Sequence, residues 1–167
     1  MNPTLRQALS SDAPQIARLL IDTRATFASY APSAHSNDEI IAWVATRLVP
    51  SGGLVVAELQ RSIVGAMHSE RREGISWITQ MAVDAQLVGK GIGSLLLAHA
   101  VRTMLPPIRL WTFQANVRAR HFYDRRGFAA IKFTDGQTNE ERCPDVLYEL
   151  GSSKVSTQHA FKRTRRH

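Results

Sequence analysis

The chain has 167 residues, 44% of them hydrophobic and 21% charged, which suits one globular domain with a proper core. No run is apolar enough to span a bilayer and the N-terminus lacks a secretory pattern, so the cytoplasm is the expected setting and no membrane partner is expected. Cys143 is the only cysteine and the six histidines lack ligand spacing, which argues against an internal disulfide and against a metal site.

In chain order, Thr4-Leu5-Arg6-Gln7-Ala8 reads as a first strand. Asp12 is placed to cap a helix, with Pro14 in its first turn and Ile16, Leu19 and Leu20 facing inward. Residues 27–36 form an irregular loop containing Phe27 and Tyr30. Ser36 or Asn37 opens a second helix whose apolar stripe is Ile40, Ile41, Trp43, Val44 and Leu48, ending near Pro50. Residues 53–59 and 63–68 read as a hairpin turning at Gln60-Arg61.

After a polar turn, residues 75–83 read as a buried strand. The glycine turn Val88-Gly89-Lys90-Gly91-Ile92-Gly93-Ser94 leads into a helix from Gly91 to about Met104, halted by Pro106-Pro107. A strand over 108–112, a helix over 117–126 stopped by Gly127, and strands over 128–133 and 146–150 complete the pattern. The last two strands are separated by the polar loop Thr134–Asp145. This order predicts a mixed α/β domain over residues 1–150.

Residues 151–167 hold five basic residues and no acid, which leaves +2 of the net +7 for the other 150 residues. The composition of this tail predicts disorder, and its charge alone gives only salt-sensitive, non-specific binding. The core shows no basic face interleaved with aromatics, so nucleic acid is not an expected partner.

A glycine-rich turn between a strand and a helix start suits an anion. The first helical N–H groups lack internal partners, the helix dipole favours negative charge, and glycine lets a phosphate approach closely. A Walker loop needs Gly-Lys-Ser/Thr, but Lys90 is followed by Gly91. A dinucleotide fingerprint would want a third glycine at Ser94 and an acid near Trp111.

Residues 81–97, Met-Ala-Val-Asp-Ala-Gln-Leu-Val-Gly-Lys-Gly-Ile-Gly-Ser-Leu-Leu-Leu, resemble the acetyl-CoA motif of the GNAT superfamily of N-acetyltransferases. Asn116-Val-Arg-Ala119-Arg-His-Phe122-Tyr123-Asp-Arg-Arg-Gly127-Phe128 resembles that family's second motif. Together the motifs and the element order extend the resemblance over about residues 3–150. It implies a central mixed, mostly antiparallel sheet of six or seven strands flanked by about four helices.

The resemblance also implies a reaction: acetyl transfer from acetyl-CoA to a primary amine by direct attack in a ternary complex. The backbone of Met81 and Val83 would pair with the pantetheine arm. N–H groups of Val88, Gly89, Lys90, Gly91, Ile92, Gly93 and Ser94 would hold the pyrophosphate. Asn116 would contact the pantetheine, and Tyr123 would protonate the departing thiolate. A non-catalytic acyl-CoA-binding or regulatory module on the same fold is the alternative, and a homodimer is left open.

Two positions depart from the family pattern. Val88 stands where a glutamine or arginine begins the first motif, leaving Lys90 as the side chain able to compensate. Trp77 and Trp111 stand where members often carry a basic glutamate. Glu70, Glu73, His68 or the 134–145 loop are then the candidate bases, unless the acceptor amine arrives with a low pKa. Four acids in that loop, including Glu140 and Glu141, favour a cationic amine. Phe27, Tyr30, Trp77 and Trp111 offer an aromatic wall for the acceptor, though core packing accounts for the tryptophans equally well.

Overall fold

The computed structural model describes residues 2–151, so the expectation for the basic tail lies, from Ser152 onward, outside the described residues. The chain runs β1 (Thr4–Gln7), α1 (Ala13–Ala25), α2 (Asn37–Trp43), β2 (Leu54–Leu59), β3 (Ser62–Arg72) and β4 (Ile75–Val83). It continues through α3 (Ile92–Thr103), β5 (Ile108–Phe113), α4 (Val117–Asp124), β6 (Ala129–Thr134) and β7 (Asp145–Leu150). The seven strands form a mixed sheet in the order β1-β2-β3-β4-β5-β7-β6. Pairing is parallel between β4 and β5 and antiparallel for β1–β2, β2–β3, β5–β7 and β6–β7. This is the fold class and element order that the sequence predicts.

Packing divides the chain into two compact units: residues up to Glu70 with Ile78–Ala100, and Arg71–Trp77 with the described residues from Val101 onward. In the first, Ile16, Leu20, Ile40, Val44, Leu54, Val56 and Ala82 form a shared core of helix stripes and strand faces. Gly65 of β3 faces α3: a Cβ there would meet Ile92 Cγ2 at 2.8 Å and Leu96 Cδ1 at 3.1 Å. Glycine at that point sets how closely α3 can lie on the strand. The turn of the β2–β3 hairpin uses Gln60 and Arg61 at positive φ, the twist-matched geometry for a two-residue loop. Glu73 and Gly74 do the same between β3 and β4.

Asp12 has a different job from the expected side-chain cap of α1. Its carboxylate accepts the Leu9 N–H at 2.7 Å, closing the short 3-10 turn Ser10–Asp12 that precedes α1. It also receives two bonds from the Arg6 guanidinium, at 2.7 and 3.0 Å, and Arg6 in turn grips Glu58 of β2. Ser36, by contrast, caps α2 as expected, in a capping box with Glu39. From α2 the chain passes into a π-helical turn over Val44–Leu48, where the Val49 N–H reaches the Val44 carbonyl at 2.9 Å. Val44 and Leu48 are buried, but Ile41 is 48% exposed and drops out of the predicted stripe, since only one edge of this short helix faces the core.

β4 is also less enclosed than its apolar run suggests: Ser76, Ile78 and Ala82 are buried, while Thr79 is exposed. β3 extends to Arg72, four residues past the predicted end, because its polar outer residues can be solvated and still pair. In the second unit, Ile108, Leu110, Val146, Tyr148 and Leu150 fill the core between paired strands and α4. The Ser76 hydroxyl donates to the Leu105 carbonyl at 2.6 Å, which ties the start of β4 to the segment before β5. β7 lies between β5 and β6, and β6 is largely exposed.

Candidate functional site

In the first unit, β4 ends at Val83 and the chain descends through a short 3-10 turn to the glycine segment. Asp84 organises that descent. Its N–H reaches the Val64 carbonyl at 2.9 Å, its carboxylate accepts the Gln86 N–H at 2.9 Å, and its carbonyl accepts the Leu87 N–H at 2.9 Å. Gly89 and Gly91 follow at φ 84° and 89°, a region costly for any residue with a Cβ. Val88 to Gly91 are exposed.

α3 starts at Ile92, and the Leu95 N–H to Gly91 carbonyl bond at 2.9 Å closes its first turn. The N–H groups of Ile92 and Gly93 come too early for an intrahelical partner. Ile92 itself is buried, so it anchors the helix by its side chain and offers only its backbone outward. The Lys90 N–H donates to the Leu87 carbonyl at 3.2 Å, which corrects the expectation that every amide from Val88 to Ser94 is open to an anion; Lys90 has its ammonium to offer instead. Met81 and Val83 are half-buried on β4, on either side of buried Ala82.

The first unit also holds Phe27 and Tyr30, in the turns after α1, with ring centroids 6.1 Å apart. Burial raises the Tyr30 phenol above its ordinary pKa. His68, named above as a candidate base, is buried on β3. Its Nε2 lies 3.0 Å from the Ser51 hydroxyl and its Nδ1 lies 2.5 Å from the Thr79 hydroxyl. Burial lowers its pKa and Glu70 opposes that shift. Thr79 and Ser51 escape a motif reading because neither belongs to a motif. Centring the pairing on the Glu73-Gly74 turn, however, puts residue 68 opposite 79, and that count is available from sequence.

In the second unit, Asn116 caps α4: its Oδ1 accepts the Ala119 N–H at 3.1 Å. Tyr123 lies in the last turn of α4 and is buried. Its ring meets Phe122 edge-on at 5.2 Å, Phe128 edge-on at 5.8 Å and Tyr148 at 5.8 Å. That apolar collar disfavours phenolate and pushes the Tyr123 pKa up to about 12, so the phenol keeps its proton. α4 ends two residues earlier than expected. The N–H of Gly127 reaches the Asp124 carbonyl at 3.1 Å and that of Phe128 reaches the Tyr123 carbonyl at 3.2 Å. With Gly127 at φ 85°, these bonds make a Schellman-type end.

Trp77 is half-buried, with the Arg72 and Arg109 guanidinium carbons 5.6 and 6.0 Å from its ring centroid. Arg109 pairs with Glu149 at 2.6 Å. Trp111 is 43% exposed on β5, so core packing does not explain its presence. In the 134–145 loop, Asn139 bonds the Cys143 carbonyl at 2.7 Å and Asp145 at 2.9 Å, and Asp145 also accepts from the Thr134 hydroxyl. Gly136, at φ 81°, lies against the Cys143 backbone, where a Cβ would come within 2.2 Å. Asp145 is buried and committed to this knot; of the other loop acids, Asp135 and Glu140 are exposed and Glu141 is half-exposed. Among the described residues there is no cluster of three or more His, Cys, Asp or Glu able to hold a metal, and no helix long and apolar enough to cross a membrane.

Comparison with solved structures finds the same fold at low identity. The chain is similar to the PaiA N-acetyltransferase of Thermoplasma acidophilum in complex with coenzyme A: TM-score 0.69, 17% identity, covering 91% of this chain and 100% of that one. It is similar to apo YjaB of Escherichia coli, with TM-score 0.71, 20% identity and the same two coverages, 91% and 100%. It is also similar to an Arabidopsis thaliana protein bound to the bisubstrate analogue CoA-Ac-MVNAL, with TM-score 0.66, 19% identity, and coverages of 91% and 100%. A sequence comparison with curated proteins found no match. The family model described as the acetyltransferase (GNAT) family matches residues 12–128, well over half of the chain, and the protein therefore belongs to the GNAT acetyltransferase family.

Proposed function

We propose that the protein transfers an acetyl group from acetyl-CoA to a primary amine, by direct attack of the amine on the thioester. The observation that carries this reading is the turn after β4, where Gly89 and Gly91 hold φ 84° and 89° immediately before an amphipathic helix. Strand, left-handed glycine turn and helix start together present backbone donors to a diphosphate. The turn takes the pyrophosphate, helped by the Lys90 ammonium, and the backbone of Met81 and Val83 meets the pantetheine arm as an added strand. Asn116 uses its oxygen for the helix cap, so its contact to the pantetheine comes from its –NH₂ group. The setting we assign to the reaction is the cytoplasm.

Tyr123 serves the departing sulfur. Burial keeps its phenol protonated, which a donor requires. A phenol pushed up to about 12 is a weak acid towards a free thiolate, but a thiolate formed in the same apolar surroundings is destabilised too, which narrows the gap. The phenol therefore donates a hydrogen bond that strengthens as charge gathers on sulfur, and proton transfer completes as the thiol leaves.

The acceptor is a primary amine, and the exposed Glu140 with Glu141 and Asp135 favours a cationic one. One similar structure carries an analogue joining CoA to the peptide MVNAL, so peptide N-termini belong among the candidates. A second reading, a CoA-binding module without transfer, is favoured by one observation: Trp77, where family members often carry a carboxylate, is flanked by two arginines. Calorimetric titration of acetyl-CoA tests both readings, and absence of binding at high micromolar ligand would sink them together. Thiol release with any of a panel of spermidine, n-butylamine and an N-terminal methionine peptide supports transfer. Binding without release across that panel supports the module.

A further inference from the structure

The Ser51–His68–Thr79 chain has no part in the reading above. Thr79 is exposed on β4 and lies two residues before Met81, hence on the same strand face and roughly 7 Å along it. Its hydroxyl meets Nδ1 of buried His68 at 2.5 Å, and the other ring nitrogen meets Ser51 Oγ at 3.0 Å. The Ser51 hydroxyl donates to the Leu48 carbonyl at 2.7 Å. A hydroxyl has one hydrogen, so Ser51 Oγ acts as acceptor towards the ring. Nε2 therefore carries the imidazole hydrogen, and Nδ1 presents its lone pair to the Thr79 O–H. A buried imidazole thus reaches the surface of β4 through one hydroxyl, beside the strand residues assigned to the pantetheine arm.

We propose that Thr79 and His68 form the relay that removes the proton from the acceptor amine, with Ser51 fixing the imidazole tautomer. The proposal rests on the acetyl-transfer reading. The amine enters the step neutral, its ammonium proton already given up to solvent; as its nitrogen bonds to the carbonyl carbon, one of its N–H bonds breaks and that proton passes to Thr79 Oγ. The Thr79 proton moves to His68 Nδ1 in the same event, giving an imidazolium. The C–S bond then breaks, and the sulfur takes its proton from Tyr123. After the amide leaves, Nδ1 returns its proton through Thr79 to water, and Tyr123 is reprotonated from solvent, which restores the starting tautomer. In this assignment Thr79 touches the reacting nitrogen and is the catalytic residue, while Ser51 is a positioning residue.

Burial keeps His68 below the usual imidazole range, so the ring is neutral and able to accept at pH 7. Glu70, on the same strand, is the charged group acting on it; Ser51, Thr79 and the Gly52 backbone supply the neutral contacts. The relay fills the role that Trp77 and Trp111 cannot.

The test uses the full chain, acetyl-CoA and the three amines named above. Thr79→Val and His68→Gln should each lower kcat by roughly 10²-fold, the usual scale of acid–base assistance, with acetyl-CoA affinity unchanged. Thr79→Ser should keep most of the wild-type rate. Wild-type kcat should fall as acid protonates His68, and His68→Gln should lose that limb. Nitrogen-15 spectra of the imidazole should show the hydrogen on Nε2. Wild-type transfer with undiminished Thr79→Val and His68→Gln rates overturns the relay and spares the transfer reading. Acetyl-CoA binding without transfer to any amine overturns both. Hydrogen on Nδ1 in the resting protein overturns the relay whatever the rates.

Discussion

Gly91→Ala separates a backbone requirement from a ligand requirement. Gly91 sits at φ 89°, and an added Cβ would find no atom of the described chain within 4 Å. The structural cost is therefore conformational, not steric. Holding a non-glycine residue there costs of order 1–3 kcal/mol, offset by about 0.4–1 kcal/mol from the stiffer unfolded chain. A net loss of about 1–2 kcal/mol lowers Tm by roughly 3–8 °C at this chain length. Gly74→Ala is the control: it has φ 79°, the same open surroundings and a place in the β3–β4 turn, so it should cost as much stability. The two variants should part in acetyl-CoA titration. In Gly91→Ala the turn re-aims its amides, or the Cβ meets the diphosphate, and one or two charge-assisted hydrogen bonds of about 1.5–3 kcal/mol are lost. Affinity should fall about 10- to 100-fold for Gly91→Ala and stay unchanged for Gly74→Ala. Wild-type affinity in Gly91→Ala would refute the assignment of this turn to the pyrophosphate.

Three further outcomes are expected. Tyr123→Phe keeps the ring against Phe122, Phe128 and Tyr148, so folding and acetyl-CoA affinity should hold while kcat falls about 100-fold; with the phenol pushed up to about 12, the wild-type rate should show no phenolate limb up to about pH 10. Val88→Arg restores a side-chain donor at a position 37% exposed, and titration should show about 3–10-fold tighter acetyl-CoA binding that fades as salt rises. Asp12, held by Arg6, has its folded pKa below the unfolded 3.8. The stability it lends is complete above that unfolded value and is lost as pH falls through the folded one. Asp12→Asn should therefore weaken the protein at pH 7 by about 1–2 kcal/mol and flatten its denaturant midpoint against pH below about 4.

Features that are local in the chain were legible from it. Periodicity placed the strands and helices in the order observed, and Ser36 and Gly127 marked helix ends because caps act within three or four residues, whereas the capping role of Asn116 emerges only from the structure. The glycine turn was legible for the same reason. Features that depend on distant partners were not. Asp12 looked like a cap, and only Arg6 and Glu58, brought together by the β1–β2 pairing, show it as the hub of an ion network. Trp77 and Trp111 looked alike, yet one is clasped by arginines from β3 and β5 and the other is open. Asp145 reads in sequence as one more loop acid, and only its bonds to Thr134 and Asn139 set it apart. The insertion of β7 between β5 and β6 follows from sheet order, which no single segment encodes.

The end of α4 has a consequence for motion. The carbonyl that accepts the Phe128 N–H belongs to Tyr123 itself, so the bond that closes the helix also grips the backbone of the proposed proton donor. Opening of that last turn is a local event that need not unfold the molecule. Each opening would loosen the backbone that carries the buried phenol. Amide exchange at Gly127 and Phe128 would count those excursions directly. A substitution at Gly127, held at φ 85°, should thus lower the melting point as Gly91→Ala does and also reduce the fraction of time the phenol is correctly aimed.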